Sequence, residues 1–285
     1  MSLLSIVFTL HPSDSGLVRI DQGRALYAAF LNWVNKVDEN YSNSLHNEKT
    51  IKPFTVSPLF GNLHPKKGEI QINTGDTLYF RVTSFSPQMS DVVKKVIDNP
   101  LPDIQIGEIK NTVEIAKDHS WNRQSTYETL ISQTLINPNR PDLQMESEFF
   151  SPTAFHITDR KYMCFPFPDS VFGSWFNNWN KYSPLSFPIE TKKFINEKLN
   201  VSRFSLKSST VHYQGAFTGF TGSCRFIATE PDPYWLRVMQ ALWQFSFYCG
   251  TGHHTTIGLG QTRPMEKVVS AMQDAIICNN PAEEK

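Results

Sequence analysis

The alternation of apolar and polar side chains at the start of the chain predicts a β-strand over 3–10. The apolar spacing then becomes that of a helix over 22–37, for which Asp21 is the predicted N-cap. The apolar side chains that fall on one face of this helix are Leu26, Phe30, Trp33 and Val37. An Asn- and Ser-rich stretch, 39–50, is predicted to be a loop that leads to a second strand at 52–57.

The first half of the chain continues with a strand, a helix and a further strand. Alternation predicts a strand over 77–85. Ser86-Pro87 predicts the start of a helix, because a capping residue is followed by proline in the first turn. Ile104 and Ile106 open the next strand. The predicted order of the first half is therefore β-α-β-β-α-β.

A polar stretch that contains Asn and Pro, 136–147, marks the predicted boundary between two halves. The same order of elements then returns. Strands are predicted at 149–157, 207–217 and 221–229, one helix is predicted with Asp169 as its N-cap, and another opens at Asp232-Pro233. Two copies of this order predict an α+β fold of tandem ferredoxin-like (RRM-like) βαββαβ domains. The predicted domains are 1–137 and 148–269, and the second contains a glycine-rich loop.

This loop, residues 250–260, carries two Gly-x-Gly pairs directly after a strongly apolar stretch. Glycine lets a ligand approach the main-chain N–H groups, and successive N–H groups in such turns bind anions, most often phosphate. The segment lacks the lysine of a Walker loop and the spacing of a dinucleotide fingerprint. The loop therefore predicts a surface that contacts the backbone of a nucleic acid. The alternative is a helix C-cap at Gly250 followed by a hairpin, and the loop can serve both purposes.

The overall charge of the 285 residues is zero, which excludes a generic, strongly basic polyanion binder. The charge is nevertheless unevenly placed. Between 198 and 265 the only acids are Glu230 and Asp232. The basic residues of that span are Lys198, Arg203, Lys207, Arg225, Arg237 and Arg263. Such a segment predicts a local positive field that holds phosphates; a solvated basic face is the alternative.

Other classes of protein are disfavoured by what the sequence lacks. It has no Cys-x-x-Cys pair, which disfavours a structural zinc site, and no cofactor is predicted. No apolar stretch approaches the length of a membrane span. The N-terminal apolar run has neither the basic residues nor the cleavage site of a signal peptide. A cytoplasmic protein without a membrane partner is the expectation.

With this order of elements the chain resembles the CRISPR-associated repeat-processing endoribonucleases, the sixth-numbered Cas family of the RAMP superfamily. The resemblance spans most of the chain and rests on the four loop glycines, with support from the segments 52–57, 151–155 and 175–181. It implies a tandem ferredoxin-like enzyme that cuts CRISPR precursor RNA once per repeat. The implied reaction needs no metal: a 2′-hydroxyl attacks the phosphate and leaves a 2′,3′-cyclic phosphate and a 5′-hydroxyl.

The resemblance also implies catalytic residues. The family's histidine, in the loop after the first helix, matches His46, and its lysine at the start of the next strand matches Lys52. Histidine suits proton transfer near neutral pH, and lysine suits the charge that develops on phosphorus. Some members carry a catalytic tyrosine on the first helix. Here Leu31 and Trp33 occupy the middle of that helix, Tyr27 lies one turn earlier and Tyr41 lies in the loop. Both tyrosines are candidates, and the family tolerates the absence of this group.

The implied partner is CRISPR repeat RNA, and a CRISPR effector complex and a homodimer are further partners left open. The residues expected to contact RNA are Gly250, Gly252, His253, His254, Gly258, Gly260, Arg203, Lys207, Arg225 and Arg263. Two other functions compete with the nuclease. A non-catalytic RAMP subunit of an effector complex would bind RNA without needing His46. An unrelated tandem ferredoxin-like protein, whose glycines only shape a turn, would not bind RNA tightly.

Overall fold

The computed structural model of the chain describes residues 2–47, 51–158, 161–212 and 216–265, and gives no side-chain placement for His46, Asn47 and His212. The strands are β1 Ser2–Pro12, β2 Gly16–Arg19, β3 Phe54–Val56, β4 Phe60–Gly61, β5 His64–Lys66, β6 Glu69–Ile72, β7 Leu78–Ser84, β8 Ile104–Ile106, β9 Ile109–Ile115, β10 Arg123–Thr126, β11 Gln144–Thr153, β12 Phe155–Thr158, β13 Lys161–Met163, β14 Leu199–His212, β15 Ala216–Ala228 and β16 Thr262–Pro264. The helices are α1 Gly23–Val37, α2 Glu39–Asn47, α3 Pro87–Ile97, α4 Tyr127–Thr134, α5 Pro168–Tyr182, α6 Glu190–Lys198 and α7 Pro233–Cys249, and a 3₁₀ turn occupies Thr255–Ile257.

Each half of the chain builds an antiparallel sheet with the ferredoxin-like strand order. The first sheet runs β3-β7-β1-β9-β8, and the second runs β14-β15-β11-β16. In both, the two central strands are the first and third of the βαββαβ unit, as that fold requires. The predicted α+β fold with two ferredoxin-like units is therefore confirmed. A small sheet, β2-β6-β5, lies beside the first unit.

Aromatic side chains fill the two cores between sheets and helices. In the first half, the Phe8 ring lies 5.3 Å from that of Trp33 on α1 and 5.0 Å from that of Phe80 on β7. In the second half, Trp175 and Trp179 of α5 are fully buried. The periodic apolar positions of α1 and α5 therefore serve packing.

The two halves meet where the end of α7 covers the open face of the first sheet. Thr83 donates its hydroxyl proton to the carbonyl of Tyr248, at 2.6 Å. Arg81, 1% exposed, donates to the side chain of Gln261 at 2.8 Å, and its guanidinium lies 5.1 Å from the Trp121 ring centre. Burial lowers the pKa of Arg81 to about 9. These contacts fix the glycine-rich segment of the second half against the first half.

Several local predictions are wrong, each for an identifiable reason. The stretch 39–50 is not a loop as far as Asn47, because Asp38 caps α2 by accepting a hydrogen bond from the N–H of Tyr41 at 2.9 Å. Asp21 does not cap α1, because it pairs with Arg19, 2.9 Å away. The helix starts predicted at Ser86-Pro87 and Asp232-Pro233 are confirmed, since Ser86 and Asp232 accept backbone N–H groups of the helices that follow. Asp169 does not cap α5, because that helix starts at Pro168 with Phe167 as its N-cap.

Within the described residues, none of the helices combines the length and apolar character needed to cross a membrane.

Candidate functional site

Two of the predicted catalytic side chains meet between α1 and the start of β3. The Lys52 ammonium donates a hydrogen bond to the hydroxyl oxygen of Tyr27, with 2.8 Å between Nζ and Oη. The ring of Tyr27 is parallel to that of Phe54, whose centre lies 6.1 Å away. Both Lys52 and Tyr27 are half-buried. Because the Tyr27 oxygen accepts from lysine, its own O–H is directed elsewhere, and the pair presents an ammonium and a hydroxyl donor side by side.

The second half of the chain holds Lys52 in place. At the end of α5, the Lys181 ammonium donates to the carbonyl of Ile51 at 2.7 Å, and the hydroxyl of Tyr182 donates to the same carbonyl. These contacts join residues 130 and 131 positions apart. The sequence singled out 175–181 as a family segment but gave no sign of this role, since only the tertiary fold brings α5 to residue 51.

His46 lies in the last turn of α2, one helical turn after Ser42. Its side chain lies outside the described part of the structure. The helix is anchored by Tyr41 and Leu45, which are 9% and 1% exposed. Since Tyr41 belongs to the core around α1, Tyr27 is the better candidate for a third catalytic group. Lys52 follows His46 by six positions, so their Cα atoms are at most about 21 Å apart.

Main-chain hydrogen bonds to other segments of the protein hold the glycine loop, residues 250–260, in place. All four glycines have positive φ, between 65° and 100°. Gly250 ends α7 as its C-cap, as the alternative interpretation of the loop predicted, but a 3₁₀ turn at Thr255–Ile257 follows it instead of the predicted hairpin. Most of the loop N–H groups donate to carbonyls of the protein; among them, Gly258 donates to Val56 and Gly260 to Pro152. The loop is therefore a connection between the two halves, and its glycine N–H groups are largely engaged inside the protein.

Thr251, within the glycine loop, is fully buried. It accepts a hydrogen bond from the indole N–H of Trp175 at 2.8 Å and contacts the hydroxyl of Thr262 at 2.7 Å. These bonds attach the glycine loop to α5. The Thr251 hydroxyl therefore lies inside the protein and is not part of the ligand surface.

The loop packs on the first turn of α1 through a backbone contact that leaves no room for a side chain. A Cβ atom on Gly23 would lie 1.8 Å from the carbonyl oxygen of Ile257. Gly258 approaches from the other side, and a Cβ there would be 3.3 Å from the Cα of Gly23. The sequence drew attention to the loop glycines, but not to Gly23, whose partner is more than 200 positions away.

His253 and His254, within the glycine loop, belong to a cluster of aromatic rings. Their ring centres are 3.7 Å apart, and His156 lies 5.4 Å from His253. Burial, followed by the neighbouring His253, lowers the pKa of His254 to about 4, and burial also lowers the pKa of His253. At neutral pH these imidazoles are therefore uncharged and suited to hydrogen bonding or stacking with a base.

The basic residues of the second half differ in whether an acid neutralises them. Arg225 pairs with Glu146, 2.7 Å away, and Arg263 pairs with Glu148. Both acids lie on β11, the neighbouring strand in the sheet. Arg203 and Lys207, in contrast, are exposed on β14. The positive field predicted from the sequence is thus weaker than expected around β15 and β16, and it is concentrated on β14.

The structure therefore brings together Tyr27 and Lys52 in one place, and the glycine loop with His253 and His254 in another. Among the described residues, no group of three or more His, Cys, Asp or Glu side chains is arranged to hold a metal ion.

Two protein-family models match the chain. The Cas6 N-terminal domain matches residues 3–88, and the CRISPR-associated endoribonuclease Cas6 matches residues 148–262. Together they span more than half of the chain. No curated protein sequence matches it significantly.

Solved structures of similar fold cover nearly the whole chain. A product complex of the Thermus thermophilus Cas6 protein TTHB231 has a TM-score of 0.76 at 20% identity, covering 92% of this chain and 100% of that chain. A product complex of the Cas6 protein TTHA0078 has a TM-score of 0.73 at 19% identity, covering 93% and 100%. A Cas6-related protein of Pyrococcus furiosus has a TM-score of 0.60 at 12% identity, covering 92% and 99%. At these identities the likeness shows the fold.

Proposed function

The chain belongs to the Cas6 family of CRISPR-associated endoribonucleases, and from this we propose that it cuts CRISPR repeat RNA by metal-independent attack of a 2′-hydroxyl on the adjacent phosphate. Binding and processing of repeat RNA follow from the family. The observation that supports the chemistry is the Lys52–Tyr27 pair, which places two donors side by side at the start of β3.

Each chemical requirement of the reaction has a proposed residue. The 2′-hydroxyl must lose a proton as its oxygen bonds to phosphorus, and the leaving 5′-oxygen must gain one as its bond breaks. His46 carries out one of these two transfers, since imidazole titrates near neutral pH. Lys52 neutralises the charge that accumulates on the phosphate oxygens. The Tyr27 O–H, whose oxygen accepts from Lys52, donates to the same phosphate group. The products are a 2′,3′-cyclic phosphate and a 5′-hydroxyl.

Several solved structures of similar fold are Cas6 proteins in product complexes or with an altered residue, which supports this proposal. Two are Cas6 product complexes, and another is a histidine-to-alanine mutant of the protein TTHA0078. A further one, with a TM-score of 0.58, is described as a RAMP protein binding different RNA substrates. This last likeness keeps a non-catalytic RNA-binding role as the second candidate function. The deciding experiment is incubation of the purified protein with its own repeat RNA in EDTA: a single cut supports the nuclease, and tight binding without a cut supports the second function.

The Lys52–Tyr27 pair gives the first mutational prediction. Lys52→Ala is expected to slow cleavage about 10²- to 10³-fold, because a charge that stabilises the transition state is lost. Tyr27→Phe keeps the ring against Phe54 and loses only the hydroxyl, so we expect a loss of about 10- to 100-fold. Rates would be measured in single turnover with saturating protein. Lys66→Ala, at an exposed lysine of β5, is the matched control and should cleave at the wild-type rate.

The exposed bases of β14 give the second prediction. We propose that Arg203 and Lys207 contact RNA phosphates, and that Arg225 and Arg263, already paired with glutamates, contribute less to affinity. Each of Arg203→Ala and Lys207→Ala is expected to weaken binding and to reduce the slope of log K against log salt by about 0.7 to 0.9. Binding isotherms at several salt concentrations measure this slope. Lys198→Ala, at a lysine paired with Glu230, serves as control; equal slopes for all three variants would refute the assignment.

A further inference from the structure

A cavity of about 300 Å³ lies between the two halves, where the start of α1 meets the glycine loop. Its walls come from the first turn of α1, the segment after β3, β6, β14 and the end of the loop. The apolar side chains that line it are Ile20, Pro58, Leu59, Leu63, Ile70, Pro152, Val211, Ile257 and Leu259. The volume lies at the lower end of the range for small-molecule sites, which makes it suited to one small, flat group.

The cavity adjoins the candidate catalytic pair along α1. Gly23 lines it, and Tyr27 follows Gly23 by four residues on the same face of the helix. Four residues of α-helix rise about 6 Å. On the opposite side, Pro58 and Leu59 line the cavity at the end of the segment that begins with Lys52 and β3. The cavity therefore shares two segments, the start of α1 and the chain that follows Lys52, with the candidate catalytic pair.

Polar groups occur at two defined places around these apolar walls. The hydroxyl oxygen of Ser209, a cavity-lining residue, is buried and has no hydrogen-bond partner among the described residues. At the mouth, α1 begins at Gln22 without a side-chain cap, and Arg24 is exposed. Uncapped N–H groups at a helix start attract anions. Asp21, Gln22 and Arg24 also line a second, larger cavity of about 740 Å³, so the two cavities adjoin the same residues at the start of α1.

We propose that this cavity receives one unpaired base of the RNA, from a nucleotide beside the scissile phosphate. The apolar walls match the two faces of a base, Ser209 offers a hydroxyl to its polar edge, and the start of α1 with Arg24 faces the attached phosphate. RNA-binding proteins commonly read bases that are splayed out of a helix in this way. The inference rests on the proposed function and extends it, because the cavity then selects the nucleotide at the cleavage position.

Filling the cavity tests the proposal. Ser209→Phe places a ring where the base would lie, and Leu63→Phe narrows the cavity from the other half of the chain in case the first variant folds poorly. Ser208→Phe, at the exposed neighbour, is the matched control. The substrate is the repeat RNA of the host's own CRISPR locus, intact and as a series with one abasic nucleotide at each position around the cut.

For the wild type we expect one abasic position at which cleavage falls about 10-fold or more, the loss typical of one stacked base. The filled variants should cleave intact RNA more slowly by a similar factor and become insensitive to that abasic nucleotide, and Ser208→Phe should behave as the wild type. Thermal melting first establishes that the filled variants are folded. The proposal is overturned if they then keep the wild-type cleavage rate, or keep the wild-type sensitivity to an abasic nucleotide at every position.

A failure of the proposed function gives a different result. If the wild type binds the repeat without cutting it, the same RNAs are used with 2-aminopurine in place of each base in turn. A fluorescence change at one position, lost in the filled variants, then supports a base-binding cavity in a non-catalytic protein. If no position shows such a change, the cavity is excluded as a base site.

Discussion

Replacement of His46 with alanine is expected to slow repeat cleavage about 10²- to 10⁴-fold, the usual contribution of a positioned acid or base. Affinity for the repeat should stay near that of the wild type, because the proposed phosphate and base contacts lie on other elements. Single-turnover cleavage in EDTA measures the rate, and analysis of the 3′ ends of the product detects the cyclic phosphate. A histidine that acts as base or acid should also remove one limb of the pH–rate profile in the variant.

His64→Ala is a suitable control, because His64 is an exposed histidine of β5 that pairs with Asp76 outside the proposed site. It should cleave at the wild-type rate. Cleavage by His46→Ala at the wild-type rate would show that another residue transfers the proton. If the wild type binds the repeat tightly and never cuts it, the catalytic roles of His46, Lys52 and Tyr27 are withdrawn together, and the RNA-binding role stands.

Substitution of Gly23 by alanine is expected to lower the free energy of unfolding by about 2–4 kcal/mol, a loss typical of a severe steric clash in a packed region. The reason is the carbonyl of Ile257, which would lie 1.8 Å from the new Cβ atom. Alanine favours helix over glycine by about 1 kcal/mol, so any net loss reports the contact with the loop. Urea unfolding, followed by fluorescence, measures the change. Cleavage should fall as well, since the loop and α1 border the proposed site.

Gly173→Ala is the matched control for this experiment. Gly173 is also a helical glycine, in α5, but a Cβ there meets no atom within 4 Å. This substitution should leave stability unchanged or raise it by up to about 1 kcal/mol. If Gly23→Ala and Gly173→Ala unfold at the same urea concentration, the contact between α1 and the glycine loop contributes little to stability.

Periodic elements were predictable from the sequence, because strand alternation and helical spacing are local. The strand at 3–10 and the helix at 22–37 correspond to β1 and α1, and their repetition gave the tandem fold. Helix α2 was missed because its residues are mainly Asn, Ser and other weak helix formers, and its apolar face is short. Tertiary packing of Tyr41 and Leu45 stabilises it instead.

Interactions between distant segments could not be predicted from local patterns. The count of acids between 198 and 265 suggested a continuous positive surface, but Glu146 and Glu148 reach Arg225 and Arg263 from a strand that lies far away in sequence. Likewise, the glycine pattern did not reveal that the loop N–H groups have acceptors at Val56 and Pro152. For catalysis, the family resemblance supplied His46 and Lys52, and the structure added the hydrogen bond that links Lys52 to Tyr27.

The dependence of Lys52 on α5 and of α1 on the glycine loop has a consequence for the order of protein synthesis. During translation the N-terminal half, with Tyr27, His46 and Lys52, emerges from the ribosome before Lys181 and Tyr182 have emerged. Ile257 emerges later still. Domains generally fold from the N-terminus during synthesis, so the first half can form while Lys52 still lacks its support. On this basis we expect an unfinished chain to carry the proposed catalytic residues without their final arrangement, and the proposed RNA cleavage to begin only when translation has passed the glycine loop.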